Sequence, residues 1–366
     1  MVGQADNSSL PWLAAPLREA LALRAAHAVL LHGPDGNGQF ELAVALAQAY
    51  LCEARRTSAM LEPFCGTCAS CHLFLVRTHP DFMLVVPDSM RESLGWPDAE
   101  SVGEGGTPGG TAKAKPSKEI RVDAVRAVIS FAQSTSARRR GKTVVIHPTE
   151  RMNAVAANAL LKTLEEPAGE TRFILSSSAP DALLPTVRSR CLGIRIALPS
   201  QELASAWLAE KGVGQPQVLL AAMGGRPIAV LELMRLGIDA NSWLGLPRRV
   251  GQGSVESFGD WPLTRVVETL QKICHDALCV AVGATPRYFP RQSLAVAKDV
   301  AALTAWAADL RRQAMQAQHP WQASLKLESL IQQAHRALHA PGQDRNPPER
   351  APERDSNSRG SLHSSA

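Results

Sequence analysis

Four cysteines stand close together in the sequence and could bind a metal ion. Cys52, Cys65, Cys68 and Cys71 follow the spacing C-x12-C-x2-C-x2-C and are four of the seven cysteines in the chain. Four thiolates are the ligand set that a tetrahedral structural zinc ion prefers, and they leave no position for a catalytic water. The spacing therefore predicts a structural zinc site. Four free thiols, a redox C-x2-C pair and an iron–sulfur cluster are the alternatives.

A glycine-rich loop has the form of a phosphate-binding loop but lacks two of its chemical groups. A short apolar segment leads into GPDGNGQF (33–40), and a helical pattern follows. Gly33 and Gly38 fit the pattern G-x-x-x-x-G-K-[ST]. Gln39 replaces the lysine that contacts phosphates, and Phe40 replaces the hydroxyl that binds Mg²⁺. The loop is interpreted as a degenerate nucleotide loop, and an ordinary strand-to-helix turn is the alternative.

A second apolar segment ends without the acidic pair that holds Mg²⁺ in active P-loop ATPases. Residues 142–147 run into His147 and Pro148, which occupy the expected acidic places, and Glu150 follows two residues later. The lysine, the hydroxyl and the acidic pair are thus all replaced. We expect no functional ATP or Mg²⁺ site and no ATP hydrolysis by this chain.

The elements that must position these groups alternate between short strands and helices. Strand patterns cover 28–32, 79–87, 142–147 and 171–178, and helical patterns cover 12–27, 38–52, 122–133 and 153–166. This alternation predicts a mostly parallel sheet covered by helices. After Pro199 only helical patterns follow. We expect an α/β domain at 1–198 with the cysteine module at 52–71, a small helical domain at 199–243 and a helical C-terminal domain at 244–340.

Two segments have compositions that do not support a packed core. Residues 101–118 contain five glycines and three lysines, and we expect a flexible insertion over about 88–118. Residues 341–366 are rich in Pro, Arg, Ser and acidic residues, which predicts a disordered tail.

The overall composition excludes some classes of protein. Hydrophobic residues make up 45% and charged residues 20% of the chain, which is typical of a globular protein. The sequence has no apolar run of membrane-spanning length and no secretory leader pattern, so we expect a cytoplasmic protein without a membrane partner. Lys plus Arg is 39 and Asp plus Glu is 34, a net charge of +5. That balance permits nucleic-acid contact but is low for a dedicated nucleic-acid binder.

Three further motifs resemble the clamp-loader branch of the AAA+ family. They are NALLKTLEEP (158–167), FILSSSAP (173–180) and the triplet Ser-Arg-Cys at 189–191. Together with the cysteine module and the degenerate loop, they extend the resemblance over about residues 10–335, most specifically over 142–195. The resemblance implies an AAA+ α/β domain with an embedded zinc module, followed by a small helical lid domain and an all-α collar domain that joins subunits.

The resemblance also implies roles for single residues. Arg190 matches an arginine finger, which stabilises the transition state of ATP hydrolysis on a neighbouring subunit, and Ser189 and Cys191 would position its loop. The residue pattern alone, without the resemblance, favours a surface arginine at position 190. In active relatives a G-x-x-R pattern in the lid supplies an ATP-sensing arginine. Here Pro227 stands at that place and Arg226 is one residue early.

The implied assembly is the bacterial clamp loader, which places the sliding clamp on primed DNA during chromosomal replication as part of the polymerase (nucleotidyltransferase) holoenzyme. The implied partners are the ATPase subunits (gamma or tau), the delta subunit, the clamp indirectly, and primer-template DNA at replication forks of the nucleoid. An active AAA+ ATPase and a stand-alone zinc-dependent nucleic-acid-binding protein are the alternatives. The basic run at 138–142 is interpreted as a solvated loop or, less simply, as a DNA phosphate contact.

Overall fold

The computed structural model describes residues 10–23, 26–54, 63–96, 116–259, 261–294, 297, 299–316 and 322–340. The chain divides into two compact units between Trp243 and Leu244. Residues 199–243 belong to the first unit, and a further boundary near 198 stays a prediction. The tail expected at 341–366 lies outside the described residues.

The described residues of the first unit contain a five-stranded parallel sheet. Its strands are β1 (Ala28–His32), β2 (Phe82–Val85), β3 (Lys142–Ile146), β4 (Thr171–Ser177) and β5 (Leu192–Arg195). Their order is β2-β3-β4-β1-β5, and every neighbouring pair is parallel. The predicted parallel α/β architecture is confirmed.

Strand β5 was not predicted from the sequence. Among the described strands it lies at an edge of the sheet and has β1 as its one neighbour. Ile194 is buried, but Leu192 is half exposed, and Gly193 and Arg195 are exposed as well. An edge strand of this kind lacks the continuous apolar run that identifies a buried parallel strand.

The first unit also contains helices, several of which pack on the sheet. They are α1 (Ala14–Ala22), α2 (Gln39–Leu51), α3 (Ala69–Leu75), α4 (Asp88–Leu94), α5 (Val122–Gln133), α6 (Ala154–Glu165), α7 (Pro185–Arg188), α8 (Gln201–Glu210), α9 (Pro216–Ala222) and α10 (Pro227–Arg235). One sheet face, including Val144 and Phe173, packs against α5 and α6. Leu160 and Leu164 of α6 are fully buried there. These two leucines of the motif at 158–167 therefore belong to the core, each contributing about 1.5–3 kcal/mol by burial.

The segment expected to be flexible over about 88–118 begins with a helix instead. Asp88 lies in the first turn of α4, where a carboxylate favours helix formation, and Arg91 lies 3.7 Å from it. Residues 97–115, which hold most of the glycine-rich stretch, lie outside the described residues.

Helix α11 (Ala240–Gly251) crosses the division, and the second unit contains α12 (Leu263–Ala281), α13 (Val300–Gln316) and α14 (Ala323–His339). Leu270, Leu310 and Ile331 are among its buried apolar side chains. The buried carboxylate of Asp276 accepts backbone N–H groups from residues 287–289 at 2.6–2.8 Å and fixes that loop onto α12.

Of the helices in the described ranges, none alone has the length and apolar character of a membrane span, although the bent pair α9–α10 passes on those two criteria.

Candidate functional site

The glycine-rich loop joins β1 to α2, as the phosphate-loop pattern predicts. Gly38 immediately precedes α2 with a φ of 102°, and Gly36 has a φ of 73°, a backbone region that glycine occupies without strain. Gly33 is required for space: a Cβ there would lie 2.4 Å from the Ile196 carbonyl oxygen. The loop is therefore held tightly between β1 and the chain after β5.

The side chain of Gln39 binds the loop itself. Its Nε2 atom donates hydrogen bonds to the carbonyl oxygens of Gly33 at 2.6 Å and Pro34 at 2.7 Å. The side chain is buried. The residue that replaces the phosphate-binding lysine thus satisfies backbone acceptors of its own loop.

The two replaced Mg²⁺-binding positions meet in space. The rings of Phe40 and His147 have centroids 5.0 Å apart. His147 Nδ1 also hydrogen-bonds the Ser176 hydroxyl at 2.8 Å. Burial lowers the pKa of His147 to about 4, and the carboxylates of Glu150 and Asp35 offset only part of this effect. His147 is therefore neutral near pH 7.

Glu150 points toward the end of β4. Its Oε1 accepts hydrogen bonds from the Ser178 backbone N–H at 3.0 Å and the Ser178 hydroxyl at 2.7 Å. Burial by itself would raise the pKa of Glu150, but these hydrogen bonds hold the pKa below its ordinary value. Its carboxylate stabilises the turn after β4.

Other contacts hold the loop from its sides. Asn37 is fully buried. Its Nδ2 donates to the Ala197 carbonyl at 2.9 Å, and its backbone carbonyl accepts Nε1–H of Trp12 at 2.9 Å. Arg226, one residue before α10, lies 3.4 Å from the carbonyl oxygen of Asp35. No sequence pattern indicates these contacts, because they join segments far apart in the chain.

The four cysteine sulfurs form a cluster in which all atoms lie within 4.8 Å of one another. The Sγ atoms of Cys52 and Cys65 are 3.6 Å apart, and those of Cys65 and Cys71 are 4.0 Å apart. A tetrahedral ion with bonds of ~2.3 Å to sulfur requires about 3.8 Å between sulfurs. The residues therefore fit a four-thiolate metal ion, with Cys52 at the end of α2 and Cys68 at the start of α3.

The thiols of this cluster differ in their surroundings. Backbone N–H groups of Thr67 and Cys68 lower the pKa of Cys65 to about 6. Burial raises the pKa of both Cys52 and Cys71. A bound cation would supply the charge that keeps the two buried sulfurs ionised.

A buried polar network joins the cysteine module to the sheet. His79 hydrogen-bonds the Ser70 hydroxyl at 2.5 Å, and that hydroxyl donates to the Leu51 carbonyl at 2.8 Å. The buried carboxylate of Asp81 accepts the backbone N–H groups of Ala137 and Arg138 at 2.7 and 2.8 Å. Sequence patterns did not indicate this network.

The same network explains the basic run at 138–142. Arg138 forms an ion pair with Glu53 at 2.5 Å, and Arg140 donates to the Cys52 carbonyl at 2.5 Å. Lys142 is buried and donates to the Phe131 carbonyl at 2.6 Å. These three side chains bind the protein itself, so the run is not simply a solvated loop.

Arg190 lies between α7 and β5, and its guanidinium is bound by its own chain. Its Nε and Nη2 both contact Oε1 of Glu165, the former at 2.7 Å, and its Nη1 donates to the Thr186 carbonyl at 2.7 Å. Ser189 Oγ donates to the same carbonyl at 3.2 Å. Burial raises the pKa of Cys191 to about 12, which leaves a neutral thiol against the core. In the described residues, the hydrogen bonds of Arg190 thus go to α6 and α7.

The fold and the loop define a parallel α/β protein with a strand–glycine loop–helix motif whose phosphate-binding and metal-binding side chains have been replaced. A family model described as "DNA polymerase III, delta subunit" matches residues 16–200. The chain belongs to this family.

The chain is also similar to individual proteins with related names. A DNA polymerase III subunit delta' from Pseudomonas aeruginosa is 36% identical over 217 residues, which cover 58% of this chain and 57% of that protein. The Escherichia coli protein of the same name is 32% identical over 232 residues, 62% of this chain and 60% of that protein. The matched region thus spans less than two thirds of these relatives.

A solved structure also matches more loosely. It is a DNA polymerase III gamma subunit-related protein from Thermotoga maritima, which is 15% identical with a TM-score of 0.46. The match covers 89% of this chain and 99% of that protein.

Proposed function

We propose that this chain is the delta-prime subunit of a DNA polymerase III clamp loader, and that it does not hydrolyse ATP itself. The observation that carries the second part is the self-contact of Gln39, whose amide donates to the Gly33 and Pro34 carbonyls. The contact between Phe40 and His147 supports it, because both replace groups that bind Mg²⁺ in active sites. The first part rests on the family and on the relatives named delta'.

The proposal gives Arg190 the role of an arginine finger for ATP bound to a neighbouring ATPase subunit. A guanidinium spreads positive charge over the oxygens of the transferred phosphoryl group as its bond breaks. Such a group supplied in trans is worth on the order of 10³-fold or more in rate at the one ATP site that it serves. The Arg190 side chain is 29% exposed, which supports access by a partner subunit.

The proposal also assigns the metal cluster and the helical regions. The four cysteines would bind a structural zinc ion, and the ligand set supports zinc. Residues 199–243 would form the lid and the C-terminal helices the collar. Apolar side chains exposed on those helices, Met315 and Leu325, support contacts with other subunits. The partners would be the gamma or tau subunits, the delta subunit and, through the complex, the clamp and primed DNA in the cytoplasm.

The test is ATP hydrolysis by a reconstituted clamp loader with clamp and primed DNA. Complexes would contain the wild-type chain, Arg190→Ala or Arg188→Ala. Arg188 is the matched control because it lies two residues before Arg190 and pairs with Asp181 instead. Gel filtration would verify assembly, and the isolated chain would be the blank. We expect Arg190→Ala alone to reduce stimulated hydrolysis. An unchanged rate in an intact complex would refute the finger, and hydrolysis by the isolated chain would refute the non-hydrolysing role.

A further inference from the structure

We propose that Glu165 is a positioning residue for Arg190, which it holds with one guanidinium edge directed to an anion on a neighbouring subunit. The inference rests on the proposed function, because it concerns how the finger is aimed. Glu165 is the last residue of α6, and Arg190 follows α7, so the contact joins two elements that are 25 residues apart.

The hydrogen bonds of Arg190 show which edge of its guanidinium group contacts Glu165. A guanidinium has five N–H groups in a fixed planar fork. Nε and Nη2 of Arg190 contact one carboxylate oxygen of Glu165, and Nη1 donates to the Thr186 carbonyl. These contacts use one hydrogen on each nitrogen. Nη1 and Nη2 each carry one further N–H group, and the proposal assigns these two groups to a two-point contact with phosphate oxygens.

The adjacent residue is also a glutamate, so it provides a control for the charge of Glu165. Glu165 and Glu166 are consecutive and identical in charge. Both side chains are exposed, but Glu165 ends the helix and contacts Arg190, whereas Glu166 is the next residue, which caps α6. The pair therefore offers a variant and a matched control that remove the same charge from the same end of the helix.

Positioning predicts a specific kinetic effect. A long arginine side chain loses conformational freedom when it binds in the transition state, and a prearranged side chain loses less. Removing Glu165 should therefore lower kcat, while the KM for ATP stays constant because ATP is held by the neighbouring subunit. Glu165→Gln keeps an acceptor oxygen and should retain more activity than Glu165→Ala.

The experiment measures ATP hydrolysis by the reconstituted complex with clamp and primed DNA. It compares Glu165→Ala, Glu165→Gln, Glu166→Ala, Arg190→Ala and the double variant Glu165→Ala/Arg190→Ala, with assembly checked by gel filtration. At the one ATP site that Arg190 serves, we expect Glu165→Ala to lower the rate by up to about 100-fold, the loss that a small misplacement of a reacting group can cause. Glu166→Ala should match wild type. The double variant should equal Arg190→Ala, because residues that act as a unit are not additive.

The outcomes separate the two proposals. If Arg190→Ala lowers the rate but Glu165→Ala leaves it unchanged or raises it, Glu165 does not position the finger and the proposed function stands. An additional loss from Glu165→Ala in the Arg190→Ala background would also overturn positioning. If Arg190→Ala has no effect in an intact complex, the proposed finger itself is refuted.

Discussion

The aromatic rings of Phe40 and His147 are in contact, with their centroids 5.0 Å apart. In an active P-loop ATPase these two chain positions carry the Mg²⁺-binding hydroxyl and an acidic residue. Here a largely apolar contact joins them, and a neutral histidine replaces a carboxylate. Phe40 and His147 therefore pack against each other at the edge of the loop, in place of the two groups that would bind Mg²⁺.

The depressed pKa of His147 predicts acid sensitivity. Its pKa is about 4 in the folded chain and about 6.5 in the unfolded chain, so the unfolded state binds more protons between these values. Stability should therefore be full above pH 6.5 and fall as the pH drops toward 4, by about 3 kcal/mol in total. Urea unfolding across this range would measure the free energy of unfolding of wild type and of His147→Gln. Subtracting the two values at each pH removes the contribution of all other titrating groups.

The control for this prediction is His27→Gln, which removes a histidine outside the loop. It controls for a histidine-to-glutamine change as such, and the pH dependence that His147 causes should remain in this variant. A constant difference between wild type and His147→Gln over the whole range would contradict a buried neutral histidine.

Gln39→Ala should destabilise the first unit by about 1–3 kcal/mol. The substitution removes the donor for two loop carbonyls, and buried acceptors without a partner carry that cost. Denaturant unfolding monitored by circular dichroism would measure it. Gln217→Ala, at an exposed position of α9, is the matched control and should change stability by less than about 0.5 kcal/mol. Equal effects of the two variants would mean that the Gln39 contacts do not stabilise the loop.

Gly33→Ala tests the close approach of the loop to the chain after β5. The added Cβ would lie 2.4 Å from the Ile196 carbonyl oxygen, so the backbone must shift, at a cost of about 1–3 kcal/mol. Gly214→Ala adds the same methyl group where no atom lies within 4 Å and should be neutral or slightly stabilising. Thermal unfolding of the two variants would compare them. A Gly33→Ala protein as stable as wild type would show that the approach is not tight.

Cys65→Ala should remove the bound metal and lower the thermal stability of the first unit. A structural zinc site contributes binding free energy to folding, and a three-thiolate site binds its ion far less tightly. Metal content of the purified full chain would be measured by atomic absorption. Cys274→Ala, in the second unit and outside the four-cysteine cluster, is the control and should keep one equivalent. Unchanged metal content in Cys65→Ala would reject the four-cysteine assignment, and a metal other than zinc in the wild-type chain would reject zinc.

The sequence by itself determined the parallel α/β architecture, the cysteine cluster and the degeneracy of the loop. These follow from features that are local in the chain: the alternation of short apolar strands with helices, the spacing C-x2-C-x2-C, and the residue types at 39 and 40. The edge strand β5 was not predicted because only one of its four residues is buried.

Only the tertiary structure decided which groups meet. The sequence has no feature that distinguishes Glu165 from Glu166 as the partner of Arg190, or that joins Arg138 to Glu53 across 85 residues. It likewise does not indicate that Gln39 turns back onto its own loop. Such contacts depend on how helices end and how strands register after the core has packed, because side chains far apart in sequence become neighbours only through that packing.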